Sequence, residues 1–485
     1  MAIIAAVVLG IMMLLTTVDV AGRYFFNHPI KGTYELIGLM LVCAATWGLA
    51  YCQIERGHIR IEVLFERFSP GTKAGLNFMS YFIGLCAFFL ICWQLLVMAK
   101  EYFLLGDSGT TETLGIPYFP FMLILAIGMG MLSLMLLIDL VQSMREAKGS
   151  VLTGISVIIG LVVIYWLISQ VFAFDRATIG LIGIVVLIIL LFLGVHIGFS
   201  LIFIGFAGAS LVAGMGPALA NMSIVTFNKI NSFHFAVIPL FLLMSSFVAE
   251  SKIAREAYET VRAWLGQVRG GLAMATVGSC GLFAACSGSS LAAAITMGKV
   301  AYPEMKRFKY GSRLAVGCIA AGGTLGILIP PSIGFIIIGI LTELSIGKLF
   351  MAGIIPGLLE IVFYFATIYI LCKMNPNLGP TGPKTTIGEK VKSLKLTWPI
   401  VLLFLIIIGG IYQGIFTPTE AGGIGAFGAL VIGLIRRKLS RTGIAEALME
   451  TSKMAALMII LLVGAFMFNS FLAITRITFT ASEFI

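Results

Sequence analysis

Apolar stretches recur along the chain near residues 1–20, 36–53, 77–99 and 117–142, and again at 151–174. After Asp175-Arg176 the spacing changes, with stretches at 178–195, 198–214, 236–249, 271–298, 313–345, 349–371, 398–413, 414–435 and 454–474. A membrane-spanning helix takes roughly 20 apolar residues, and more than ten stretches answer to that description. The runs are continuous rather than alternating, which argues against a β-barrel. Backbone in lipid must satisfy its own hydrogen bonds, so helices are the expected form. The pattern predicts an all-α polytopic membrane protein.

The polar seam at 143–150 divides a four-helix unit from a larger one. The division predicts 1–147 as the first unit, 148–176 as a connecting helix and 177–485 as the second. Met1 opens directly into an apolar run that lacks a basic leader and a small-x-small cleavage site, so it is expected to be a retained span.

Composition supports lipid as the main solvent. Of 485 residues, 59% are hydrophobic and 11% charged, and the mean hydropathy is +1.06. A soluble domain carries about a quarter charged residues. The net charge of +10 is spread over short loops, the distribution that sets membrane orientation rather than nucleic-acid binding. The eight cysteines lie in or beside apolar stretches and none forms a C-x-x-C pair, so they are expected to be packing residues. No P-loop pattern occurs, so no ATPase chemistry is expected of this chain. His28, His58, His196 and His234 are scattered, without metal-ligand spacing.

Counting basic residues places the N-terminus in the cytoplasm. Loop 54–75 holds four (Arg56, Arg60, Arg67, Lys73), against two in 21–35 and one in 100–116. The stretches 250–270 and 299–313 hold four and five and flank segment 271–298, which is long enough to cross once. One crossing would put two basic flanks on opposite sides. A re-entrant hairpin removes the conflict, with its turn at Cys286-Ser-Gly-Ser-Ser290. Irregular backbone at membrane depth is tolerated only where it is buried or lines a cavity.

A second irregularity follows at Ala321-Gly-Gly-Thr-Leu-Gly-Ile-Leu-Ile-Pro-Pro-Ser332. Two adjacent prolines cannot continue a helix, so a break is expected here. Broken ends expose carbonyls and amides; carbonyls and hydroxyls suit Na⁺, while amides at a positive helix end suit a carboxylate. The turn Ser287, Gly288, Ser289, Ser290 together with this break would make a half-site of neutral oxygens. Gly278 and Gly317 are read instead as helix-packing glycines. An internal echo joins Gly194-Val-His-Ile-Gly-Phe-Ser-Leu201 to Gly414-Ile-Phe-Thr-Pro-Thr-Glu-Ala421, in opposite topological sense, as in an inverted repeat. The first repeat would span about 178–371, the second starting near 398.

Cys286-Ser-Gly-Ser-Ser-Leu-Ala-Ala-Ala294, Gly326-Ile-Leu-Ile-Pro-Pro-Ser332 and Gly414-Ile-Phe-Thr-Pro-Thr-Glu-Ala421 resemble signature stretches of the large (M) membrane subunit of tripartite ATP-independent periplasmic (TRAP) transporters. The preceding unit, with Glu35 opening its second helix and Glu55-Arg-Gly-His-Ile-Arg-Ile-Glu62, is similar to the small (Q) subunit. The resemblance implies a sodium-coupled, elevator-type importer of small organic anions, carboxylates or sialic acids, in the bacterial inner membrane. It also implies a periplasmic substrate-binding protein as partner, membrane lipid around the chain, and no organic cofactor. By motif match, Gly323, Thr324, Pro330, Pro331 and Ser332 would join Ser287–Ser290 in the half-site, with Na⁺ on Ser287, Ser289, Gly323 and Pro330. Thr417, Thr419 and Glu420 would support it, although Glu420 reads first as a helix cap. The family's second hairpin and second broken helix have no counterpart before Ile485, so the chain resembles a C-terminally truncated permease.

Further expectations concern the flanks. Arg145, Lys148 and the amphipathic run Lys252–Arg269 are placed at the cytoplasmic surface, the last as an interfacial arm. Asp107 and Glu112 fall in a periplasmic loop, as solvated turn or binding-protein contact. A non-transporting truncated permease and a membrane-embedded serine hydrolase using Ser287 or Ser289 are the competing readings. The hydrolase needs a base within hydrogen-bond reach, and no histidine occurs in the second half of the chain.

Overall fold

The computed structural model describes residues 2–146, 151–171, 174–382 and 385–482. Lys148 and the side chain of Asp107 lie outside the described residues. Among those described there is no strand, only an isolated bridge between Thr110 and Pro117. Nine helices are long and apolar enough to cross a membrane, or ten when one bent pair counts as a single span. This is the all-α polytopic architecture, with fewer full spans than the apolar stretches suggest because several stretches fold as shorter helices. The chain forms two compact units, Met1–Val8 with Tyr34–Ser232 and Ser452–Ile485, and Leu9–Thr33 with Phe233–Thr451.

The first unit takes the start of α1 (Ala2–Phe26) and then α2 (Thr33–Ile54), the short α3 (Glu62–Phe65), α4 (Pro70–Leu104) and α5 (Phe119–Glu146). It continues through α6 (Val151–Trp166), α7 (Arg176–Phe192), α8 (Ile197–Ala213) and α9 (Met215–Ile230). Helix α4 begins well before its apolar stretch because Ser69 caps it, accepting from the Thr72 amide, and Pro70 fits the first turn. Helix α9 was not expected, since Asn221, Asn228 and Lys229 break its apolar pattern; packing against α4 and α8 holds it. Glu35 at the head of α2 accepts from the amides of Thr113 (2.6 Å) and Leu114 (3.0 Å), which ties down the loop before α5.

Two of the scattered histidines meet in this unit. His58 and His196 are 5.7 Å apart between ring centroids, and both pack on Phe199. The Ser80 hydroxyl accepts from the His196 backbone amide (3.4 Å) and lies 2.8 Å from His196 Nδ1. With the ring proton on Nε2 the Ser80 hydroxyl donates to Nδ1, and with it on Nδ1 the hydroxyl accepts.

The second unit takes the rest of α1 and then α10 (Val237–Glu250), α11 (Ile253–Leu265), α12 (Gly271–Ser287), α13 (Ser290–Arg307), α14 (Ser312–Leu328) and α15 (Ile333–Thr342). It closes with α16 (Ile346–Met374), α17 (Ile387–Tyr412) and α18 (Pro418–Ile435). Helix α19 (Arg441–Thr475) passes back into the first unit and ends in α20 (Ile477–Ser482). The expected arm is α11, amphipathic enough to bury Ile253, Ala257 and Tyr258 on one face. Its buried Glu256 is held by Arg436 at 2.6 and 3.0 Å and by Lys438 at 3.0 Å.

The sequence echo has a structural basis. At Gly194 and again at Gly414 the chain turns with positive φ (82° and 69°). In each case the next amide reaches back to the last helical turn, Val195 to Leu190 and Ile415 to Gly410. Both are helix C-terminal motifs in which glycine supplies the left-handed residue.

Candidate functional site

The segment 271–298 does not run as one helix. Helix α12 ends at Ser287, Gly288 adopts φ +59° as its C-cap, and Ser289 restarts the chain as the N-cap of α13, accepting from the Ala292 amide. A left-handed residue is cheap only for glycine, which explains the Ser-Gly-Ser order. The two helices then fold back on each other. Thr276 Oγ1 lies 3.8 Å from Met305 Sδ, and the Leu272 amide donates to Tyr310 at 3.1 Å. A continuous helix would hold residues 276 and 305 about 40 Å apart. The seventeen residues of α12 reach only about 25 Å, short of the hydrocarbon thickness.

The second irregularity is a break as well. Helices α14 and α15 meet at 41° across Ile329–Ser332. Pro330 has no N–H to offer the Gly326 carbonyl, and Pro331 has none for Ile327. Ser332 splints the gap: its hydroxyl donates to the Ile327 carbonyl and accepts from the Phe335 amide.

Hairpin turn and break interlock. The Ile333 amide donates to the Gly288 carbonyl at 3.1 Å, so two helix N-termini and two C-termini converge within a few ångströms. Their partial charges, positive at α13 and α15 and negative at α12 and α14, follow from unpaired backbone groups. A Cβ on Gly326 would stand 2.7–2.8 Å from the Ser289 and Ser290 backbone, and one on Gly323 would meet Ser290 O at 3.2 Å. Behind the break, a Cβ on Gly353 of α16 would stand 2.5 Å from Leu328 O, and one on Gly357 would stand 2.8 Å from the Ile329 side chain. Ser287 is 1% exposed, and its hydroxyl has no hydrogen-bond partner. A buried donor–acceptor left unmatched in a native fold calls for a ligand or ordered water.

The fold therefore gathers Ser287, Gly288, Ser289, Ser290, Gly323, Pro330, Pro331 and Ser332. Thr324 is different: its hydroxyl turns to Glu360 Oε1 (2.9 Å) and Tyr364 (3.1 Å) on α16. Glu360, which sequence reasoning missed, sits midway along a span and is itself bonded by Tyr364 at 2.8 Å. A carboxylate at that depth is rarely without purpose, and its lone position in an apolar run was the available signal. Gly278 packs on Val261 and Phe365 as expected, whereas Gly317 faces open space, so the packing role assigned to Gly317 finds no partner here.

Thr417 and Glu420 form a capping box at the start of α18, and Glu420 also binds Arg23 of α1, which pairs with Asp19 at 2.6 Å. Thr419 is buried beside them. Neither hairpin serine offers a nucleophile–base pair, since Ser287 is unpartnered and Ser289 caps a helix. Among the described residues no group of His, Cys, Asp and Glu could hold a metal, and all eight cysteines are free.

The Gly326 contact makes the first prediction. Gly326→Ala is expected to cost about 1–3 kcal/mol through overpacking against rigid backbone, while Gly317→Ala leaves thermal stability unchanged or slightly raised. Equal melting temperatures for both variants in detergent would disprove the interlock.

Residues 184–485 match the family described as tripartite ATP-independent periplasmic transporter, DctM component, and residues 12–146 match the DctQ component. The chain is 29% identical over 434 residues to the isethionate TRAP transporter permease protein DctMQ of Oleidesulfovibrio alaskensis, covering 88% of this chain and 66% of the relative. It is 35% identical over 276 residues to the C4-dicarboxylate TRAP transporter large permease protein DctM of Pseudomonas aeruginosa (56% and 64%). Against the sialic acid TRAP transporter large permease protein SiaM of Vibrio cholerae it is 34% identical over 281 residues (58% and 65%). The chain thus spans just under two thirds of the length of these relatives, all of which are named as permeases.

Proposed function

Because the chain belongs to the tripartite ATP-independent periplasmic transporter family, with DctQ and DctM components in one polypeptide, we propose that it serves sodium-coupled import of small organic anions delivered by a periplasmic binding protein. Residues 1–147 act as scaffold, 148–176 as connector and 177–485 as an elevator-type transporter unit of inverted repeats, in the bacterial inner membrane. The cytoplasmic N-terminus follows from the basic loops. Contacts within each unit support one alternating topology: Glu35 meets the loop after α4, Arg23 meets the start of α18, and Glu256 meets the loop after α18.

One observation carries the reading: the hairpin turn is hydrogen-bonded to a broken helix around a buried hydroxyl without a partner. The Ser287 hydroxyl and the Gly326 carbonyl released by Pro330 supply hard, neutral oxygens for Na⁺. The amide ends of α13 and α15 supply positive potential for a carboxylate or sulfonate of the cargo. Ser332 holds the break open, and Glu360 fixes Thr324 against α16, so both position the site.

In detergent, NaCl is expected to raise the melting temperature of the chain over equal KCl, since a ligand that binds only the folded state stabilises it. Ser287→Ala removes most of that difference, and Ser279→Ala, whose hydroxyl bonds the Ala275 carbonyl one turn earlier, keeps it. Identical curves in Na⁺ and K⁺ would refute sodium binding at this turn. Uptake in proteoliposomes that persists without Na⁺ or without the binding protein would refute the transport cycle.

A further inference from the structure

Between α11 and the second half of α13 lies a polar cleft of about 450 Å³. Arg255 and Arg262 line it from α11, Lys299 and Arg307 from α13, and Glu259 and Glu304 are its carboxylates. Glu304 is bridged by Arg262 (3.2 Å) and Arg307 (3.8 Å), and Glu259 by Arg255 (3.2 Å). Lys299 has no ion pair among the described residues. Four cations against two carboxylates line the cleft, and Glu250 acts on Lys299 from outside it, so the lining carries an excess of positive charge. Tyr258 in its wall is 2% exposed, and its hydroxyl has no hydrogen-bond partner, an unsatisfied donor beside a basic opening.

The surroundings say which anion fits. Helix α11 is amphipathic and charged on its outer face, the build of a helix lying at a bilayer surface. Trp264 near its end is 45% exposed and bonds the Lys390 carbonyl through its ring N–H, as interfacial tryptophans do. Val300 and Pro303 add an apolar wall to the cleft. Basic pockets between helices at the cytoplasmic face take anionic headgroups.

We propose that this cleft binds the phosphate of an anionic lipid headgroup and so clasps α11 to the outgoing helix of the hairpin. The site is independent of sodium and cargo binding. The phosphodiester accepts hydrogen bonds from Arg262, Lys299 and Arg307, and the glycerol lies on Val300 and Pro303. The same phosphate chemistry is available to free inorganic phosphate, which lacks the apolar part.

Native mass spectrometry of the full chain, released from micelles doped with phosphatidylglycerol or phosphatidylcholine, tests the site. Retention of phosphatidylglycerol over phosphatidylcholine is expected, and Lys299→Gln with Arg307→Gln lowers it about tenfold. Lys306→Gln with Lys309→Gln removes equal charge from the end of α13 and the turn after it, outside the cleft, and leaves retention unchanged. Stabilisation of the chain by millimolar inorganic phosphate, lost in the Lys299/Arg307 variant, would support the anion site with a soluble ligand. Equal retention of both lipids, or equal loss in both variants, would overturn the proposal.

Discussion

Arg23→Met is expected to destabilise the protein by about 3–5 kcal/mol, the cost of stranding buried charge. Asp19 and Glu420 are 3% and 2% exposed and share this one guanidinium. Their remaining oxygens face inward: Asp19 accepts from the Ile30 amide at 2.9 Å, and Glu420 from the Thr417 amide at 2.8 Å. Methionine keeps an unbranched apolar stem but removes the guanidinium that the two buried carboxylates share. The triad joins α1, matched to the DctQ component, to α18, matched to the DctM component, so its loss loosens the attachment of one component to the other. Thermal unfolding in detergent checks the effect. Adding Asp19→Asn and Glu420→Gln to Arg23→Met should recover most of the lost stability, because neutral amides keep the backbone bonds without the repulsion. A triple variant as weak as the single one would show that arginine packing, not charge, is what matters.

Acidification should produce the second large effect. Burial pushes His58 down to about 4, and burial reinforced by His58 and Arg60 pushes His196 down to about 3, from an ordinary value near 6.5. Both folded values lie below the unfolded one, so the unfolded chain binds more protons once the pH falls under about 6.5. The stability is complete above that value and is lost progressively toward the folded values. At pH 5 each imidazole forfeits about 2 kcal/mol. Geometry gives the reason: the two buried rings lie 5.7 Å apart against Phe199, where a charge loses its water, and His58 Nε2 has no hydrogen-bond partner. The melting temperature should drop steeply between pH 7 and pH 5, and His58→Gln with His196→Gln should flatten that profile. A wild-type profile already flat over this range would contradict the neutral pair.

Much of the site was legible in the sequence for local reasons. Pro330 and Pro331 forbid a continuous helix whatever surrounds them, and Ser-Gly-Ser at 287–289 carries a cap, a left-handed residue and a second cap in order. Basic loops on both sides of 271–298 marked a fold-back before any geometry was known. Helix α9 escaped because its pattern is mixed and its helicity rests on its neighbours. The early starts of α4 and α17 escaped for another reason: they are set by caps at Ser69 and at Thr386 with Glu389, ahead of the apolar residues.

By itself the sequence determined the solvent, the element type, the two interruptions and the family, because these depend on composition, on proline and glycine stereochemistry and on short motifs. Tertiary structure alone decided which distant residues meet. Thr324 could have joined the hairpin serines and instead faces Glu360; Glu420 completes a charge triad with residues some four hundred positions away; His58 and His196 become one buried pair. Such encounters depend on how helices rotate about their axes when small residues let them approach, and one chain's linear pattern does not fix that rotation.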